Sequence, residues 1–134
     1  MLPDQDDRRI SGANERCRIV SRTLTRIADK WSVLVVMVLG QGPRRFSELR
    51  RAMDGISKRM LTLVLRGLER DGLVSRTVTA GAPPRVDYAL TDLGDSLSEP
   101  IDALGGWAVA NEHNVEAARE AFDARVKEPS APSE

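Results

Sequence analysis

Apolar positions along this chain change period several times, and each change marks an element. After Cys17, the residues Val20, Leu24 and Ile27 recur at helical spacing and predict a short amphipathic helix over 17–28. Trp31–Leu39 is almost wholly apolar. Its periodicity fits a buried helix or a buried strand, and its β-branched content favours the strand. Gly40, Gly42 and Pro43 end that element. Phe46, Leu49 and Met53 share one face of a further short helix, closed by Asp54-Gly55. Ser57 is placed to cap the next helix, because its hydroxyl can accept the backbone N–H groups two or three residues on. At about 100° per residue, Met60, Leu61, Val64, Leu65 and Leu68 fall on one arc of that helix. Lys58, Arg59, Thr62 and Arg66 fall on another, outward arc, and Asp71-Gly72 stops the helix.

Beyond Gly72 the period becomes alternating. Val74, Arg76 and Val78 interleave with Ser75, Thr77 and Thr79, and Val86, Tyr88 and Leu90 interleave with Arg85, Asp87 and Ala89. Ala80-Gly81-Ala82-Pro83-Pro84 between them is too long for a two-residue turn and predicts a projecting hairpin. Thr91 can cap a following helix with Leu93, Leu97, Ile101, Leu104 and Ala108 in one stripe. Pro100 should kink or split it, since its ring opposes the carbonyl of Ser96. The fold class is therefore mainly α with a small β-hairpin. Two short helices joined at Asp54-Gly55-Ile56, the second apolar inside and basic outside, describe a helix-turn-helix. The expected organisation is a flexible N-terminal arm over 1–16, a domain over 17–113, a C-terminal helix over 114–126 and a disordered Pro/Ser-rich tail over 127–134.

Composition and charge sharpen this. A chain of 134 residues with 41% hydrophobic and 30% charged residues fits one ordinary globular domain. There is no apolar run of membrane-spanning length and no secretory leader, and the single cysteine rules out an internal disulfide framework. The expectation is a soluble cytoplasmic protein. Net charge is zero, but the stretch from Gln41 to Leu90 holds ten basic and five acidic residues. A basic middle between acidic flanks is a footprint of polyanion binding. A solvated charged face would look similar at this level.

Several stretches carry a family resemblance. They are Asp29-Lys30-Trp31 before the apolar run, Gly42-Pro43-Arg44-Arg45-Phe46-Ser47-Glu48-Leu49-Arg50, Gly55-Ile56-Ser57-Lys58-Arg59-Met60-Leu61-Thr62, Leu68-Glu69-Arg70-Asp71-Gly72-Leu73-Val74, the segment from Pro83 to Thr91, and Leu93-Gly94. In order and spacing, over about Cys17 to His113, they resemble the HxlR-type group of MarR-like winged-helix regulators. The resemblance implies a winged helix-turn-helix with the hairpin as wing, and a buried helix at Trp31–Leu39. It also implies a homodimer built by the N- and C-terminal helices, acting on double-stranded DNA with an inverted-repeat operator; repression is the default expectation for a small dimer with no separate activation domain. Some members of this group sense redox or aldehyde stress through a cysteine at the place of Cys17. That cysteine usually precedes proline in the group, whereas Cys17 precedes Arg18.

The candidate DNA-binding residues are Arg44, Arg45, Ser57, Lys58, Arg59, Thr62, Arg66, Arg76 and Arg85. At the start of the Ser57-capped helix, Lys58 and Arg59 can reach guanine acceptors or phosphates, and Ser57 and Thr62 can bond phosphates or base edges. Arg76 and Arg85 lie on the hairpin, where Arg85 can meet DNA or pair with Asp87. Cys17, between Arg16 and Arg18 at an expected helix start, is the candidate sensor; the alternative is a small apolar filler at a dimer interface. The one histidine, His113, reads as a helix-end residue, and one Cys with one His cannot supply a metal site. Trp31 and Trp107 read as core or interface residues, with room for an unknown small-molecule effector beside Trp107. No Gly-rich phosphate loop, nucleophile elbow or Cys–His pair is present, so no catalytic residue and no cofactor is expected. The rival classes are a winged-helix protein-interaction module and a regulator controlled by a small ligand in the dimer cleft.

Overall fold

The structure, a computed structural model, describes residues 4–127. Its elements are α1 (Asp4–Ile27), α2 (Lys30–Leu39), β1 (Arg44–Arg45), α3 (Phe46–Ala52), α4 (Lys58–Arg70), β2 (Val74–Thr79), β3 (Arg85–Leu90) and α5 (Asp92–Lys127). The chain divides into two units at the Ser98–Glu99 junction.

In the first unit, local chemistry sets the helix ends. Asp29 caps α2: its carboxylate accepts the Ser32 backbone N–H at 2.9 Å and the Ser32 hydroxyl at 2.8 Å. The apolar run is thus a buried helix, as the resemblance implies and against its β-branched content, with Val35 and Val36 wholly buried. Glu48 reaches back to accept the Arg45 backbone N–H at 2.8 Å and so fixes the start of α3. Gly55 takes a φ of 86° in the turn to α4, a left-handed conformation that a side chain would strain. Arg50 Nε donates to the Ile56 carbonyl at 3.4 Å and ties α3 to that turn.

Leu49, Met53, Ile56, Leu61, Leu65, Leu68, Leu73 and Val74 join α2 in one core, with the ring of Tyr88 closing it from the sheet. Fully burying a leucine contributes about 1.5–3 kcal/mol, so the three buried leucines of α4 anchor that helix firmly. The sheet is antiparallel in the order β1-β3-β2. Its two-residue strand β1 is invisible to the alternation pattern, which predicts only the hairpin; a pair of residues has no period to detect. The register places Arg44 and Arg76 on either side of Tyr88.

The start of α5 is locked to this body. Thr91 Oγ1 donates to the Gly72 carbonyl at 2.6 Å and accepts the Gly94 N–H at 3.0 Å. A Cβ at Gly94 would collide with the Leu73 carbonyl oxygen, so only glycine fits there.

Three expectations need correction. The helical backbone of α1 begins at Asp4, well before Cys17, where the sequence predicts a flexible arm over 1–16 and the helix only from 17. A polar stretch has no hydrophobic period, yet ion pairs three or four residues apart support a helix, as Glu15–Arg18 illustrates. Residues 1–3 of that arm lie outside the described residues. Of the kink or split expected at Pro100, the split does not occur: helical backbone continues through Lys127, because losing one N–H donor removes a single bond from a long ladder. His113 therefore lies inside α5 and not at a helix end. Of the expected tail over 127–134, Lys127 closes α5 and the rest lies outside the described residues.

The second unit is the remainder of α5. Leu104, Trp107, Val109, Val115, Phe122 and Val126 are all exposed on it. No helix among the described residues is long and apolar enough to cross a membrane.

Candidate nucleic-acid interface

The helix α4 has three longitudinal faces. Leu61, Leu65 and Leu68 point inward and are buried, with Val64 half-buried beside them. Lys58, Arg59, Thr62 and Arg66 are exposed on the outward face. The third strip carries Met60 and Leu63, 41% and 56% exposed. The sequence pattern puts Met60 on the buried arc, but at about 100° per residue it lies a quarter-turn round from Leu61, at the margin of that arc.

Ser57 caps α4 as the sequence predicts, its hydroxyl oxygen accepting the Met60 N–H at 3.0 Å. Thr62 Oγ1 donates back to the Lys58 carbonyl at 2.9 Å, which leaves the hydroxyl oxygen free to accept. Among the described residues the ion pairs are Glu15–Arg18 and Arg85–Asp87. Lys58, Arg59, Arg66 and Arg76 thus enter no ion pair there. Four basic side chains on α4 and the adjoining strand are left to meet an outside anion.

Arg44 and Arg85 are engaged within the fold. Arg44 folds its guanidinium onto its own loop, donating to the carbonyls of Gly42 at 3.1 Å and Pro43 at 3.0 Å and, at 3.4 Å, to the Gln41 side chain. Arg45 is exposed beside it at the start of α3. Arg85 Nε donates to both carboxylate oxygens of Asp87, at 3.2 and 3.1 Å. Residues i and i+2 of a strand share a face, so this pair is a consequence of strand spacing.

Between α4 and the sheet lies a recess of about 500 Å³ lined by Thr62, Leu65, Arg66, Glu69, Arg76 and Tyr88. It brings together Thr62, Arg66 and Arg76, which the sequence names separately, and adds Glu69 and Tyr88, which it does not. The missing signal is the hairpin register. Thr79 pairs with Arg85 at the tip, and counting back from there sets Arg76 opposite Tyr88.

Cys17 is a free, exposed thiol. It sits inside α1 and not at a helix start, so no helix-terminal amides act on it. Arg18 beside it is paired with Glu15. Among the described residues, no group of three or more His, Cys, Asp or Glu side chains could hold a metal ion.

Comparison with known proteins agrees with this geometry. The sequence model of the HxlR-like helix-turn-helix family matches residues 26–116. The helix-turn-helix transcriptional regulator YtfH of Escherichia coli K12 is 40% identical over 97 residues, covering 72% of this chain and 77% of that one. The solved structure of the transcriptional regulator YtfH from Salmonella typhimurium is similar with a TM-score of 0.70 at 40% identity, covering 75% of this chain and 89% of that one. The redox regulator HypR in its reduced form also gives a TM-score of 0.70, at 39% identity, covering 73% of this chain and 97% of that one. With a winged helix-turn-helix body and a basic face on α4 that enters no ion pair among the described residues, the chain belongs to the HxlR-like helix-turn-helix family of transcriptional regulators.

Proposed function

We propose that this chain is a homodimeric, sequence-specific DNA-binding repressor that grips an inverted-repeat operator with two copies of α4. The outward face of α4 carries this reading: Lys58, Arg59, Thr62 and Arg66 are exposed and the cations enter no ion pair among the described residues, on a helix fixed by three buried leucines and the Ser57 cap. A helix so anchored can enter a major groove without unfolding its own core. Its first amides and Lys58 and Arg59 meet phosphates or base edges. Arg45, Arg76 and Arg85 add contacts from the strand and hairpin flanks, Arg85 through the guanidinium nitrogens that Asp87 leaves free. Arg44 serves first as a loop brace.

The test is binding of duplex DNA from upstream of the chain's own gene at several salt concentrations. Each neutralised phosphate contributes about −0.9 to the log–log slope, so affinity should fall steeply with salt. Binding that ignores salt contradicts the reading.

The homodimer is supported by the apolar residues that single chains leave in water, Ile19, Val20 and Leu24 on α1 and Leu104, Trp107 and Phe122 on α5. Trp107 is 58% exposed, which removes it from the core and supports the interface reading of this residue. Regulation through Cys17 is supported by its exposure and by the similarity to a protein described as a redox regulator. Operator binding by the wild type should weaken with diamide, and binding by Cys17→Ser should not; identical responses remove Cys17 from the mechanism.

A further inference from the structure

We propose that the recess between α4 and the sheet is a seat for a single phosphate of the bound DNA, with the Tyr88 hydroxyl as an uncharged donor between Arg66 and Arg76. The proposal rests on the DNA-binding reading and deepens it.

Tyr88 is 9% exposed, its ring packed into the core. A phenolic hydroxyl so placed ordinarily finds a partner. Here it makes no hydrogen bond among the described residues, yet it is not among the side-chain atoms sealed from solvent without a partner, where Ser98 Oγ stands alone. Tyr88 lines the recess, and its O–H is assigned to an oxyanion entering there.

Two cations flank that point from different elements. Arg76 is directly opposite Tyr88 in the β2–β3 register, and residues opposed in an antiparallel pair project to the same face. Arg66 approaches from the outward face of α4 and lines the same recess. Neither enters an ion pair among the described residues. Glu69, one turn on from Arg66, contributes the one carboxylate, so the recess carries two positive charges against one negative. The two guanidinium groups can only donate, and the Tyr88 hydroxyl can add a third donor, a set that with the net positive charge favours an oxyanion over a cationic guest. A phosphodiester held between the groove-reading helix and the hairpin would fix the angle of one against the other.

Duplex binding should separate this seat from a general basic surface. If Arg66 and Arg76 share one phosphate, Arg66→Ala and Arg76→Ala should each lower affinity with little change in salt slope, since the other still neutralises it. The double variant should lose about 0.9 of slope. Tyr88→Phe removes a neutral donor to a charged acceptor and should weaken binding roughly tenfold with the slope and melting temperature unchanged. Glu69→Gln should tighten binding by about two- to threefold.

Tyr88 is the chain's one tyrosine, so ring-labelled protein gives a single tyrosine resonance to follow. It should move when the upstream duplex is added. Inorganic phosphate alone should move the same resonance only at far higher concentration. Slope losses of about 0.9 for each single variant and twice that for the double would overturn the shared seat while leaving DNA binding intact. A resonance that saturates with free phosphate but ignores the duplex would reassign the recess to a free anion and overturn the proposal. A wild type that binds no duplex at any salt concentration would remove the DNA-binding reading as well.

Discussion

The helices α4 and α5 solve opposite problems. The shorter helix, Lys58–Arg70, buries Leu61, Leu65 and Leu68 within its own chain and presents charge outward. The longer one, Asp92–Lys127, is locked at its first turn and packs Leu97 against the core, and further along leaves Leu104, Trp107 and Phe122 exposed. The difference separates two kinds of legibility. What α4 does can be read from one chain, because its apolar face is satisfied and its basic face is not. What α5 does cannot be read the same way, because Leu104, Trp107 and Phe122 have no cover within the chain; under the proposed homodimer a second copy would offer the same apolar stripe in return.

The largest effect should come at the joint between the body and α5. In Gly94→Ala the new methyl would meet the Leu73 carbonyl, with no flexible side chain to yield. We expect a loss on the order of 4 kcal/mol in denaturant unfolding, comparable to the severest point substitutions. An unchanged midpoint would show that the first turn of α5 is not locked as described.

The next largest effect concerns assembly and leaves the fold intact. Leu104→Glu combined with Phe122→Glu should shift the sedimenting species from dimer to monomer, because both residues face water in the single chain. Far-ultraviolet circular dichroism should show the helices retained. A double variant that still sediments as a dimer would mean α5 is covered by something else or by nothing.

The smallest effect sharpens the account of α4. Gly67 sits inside the helix, and a methyl group added there would meet no atom within 4 Å, so Gly67→Ala should raise stability by about 0.5–1 kcal/mol. A destabilisation would indicate that the space beside Gly67 is occupied in solution.

Some of this is visible in the sequence, and the rest is hidden for identifiable reasons. Phe46, Leu49 and Met53 betray α3 because a helical period survives in three residues, and Ser57 marks α4 because capping is local chemistry. Met60 misleads because it lies at the margin of an arc, where the pattern cannot distinguish half-covered from covered. The buried helix α2 needs the family resemblance, since a wholly apolar run has no period to read. Arg85 has two foreseeable roles, and strand spacing gives it the Asp87 partner. The brace made by Arg44 depends on loop conformation, and the meeting of Arg66, Arg76 and Tyr88 depends on strand register. Both are set by residues brought together only in the folded chain.

The central claim is that the outward face of α4 holds DNA. The most direct test compares Arg59→Ala with Arg119→Ala, an exposed arginine of α5, in equilibrium binding to the upstream duplex at fixed salt. The account predicts that Arg59→Ala loses about 1–3 kcal/mol of binding, roughly a five- to 150-fold weakening, while Arg119→Ala changes affinity less than about twofold. Equal small losses from the two substitutions would contradict it.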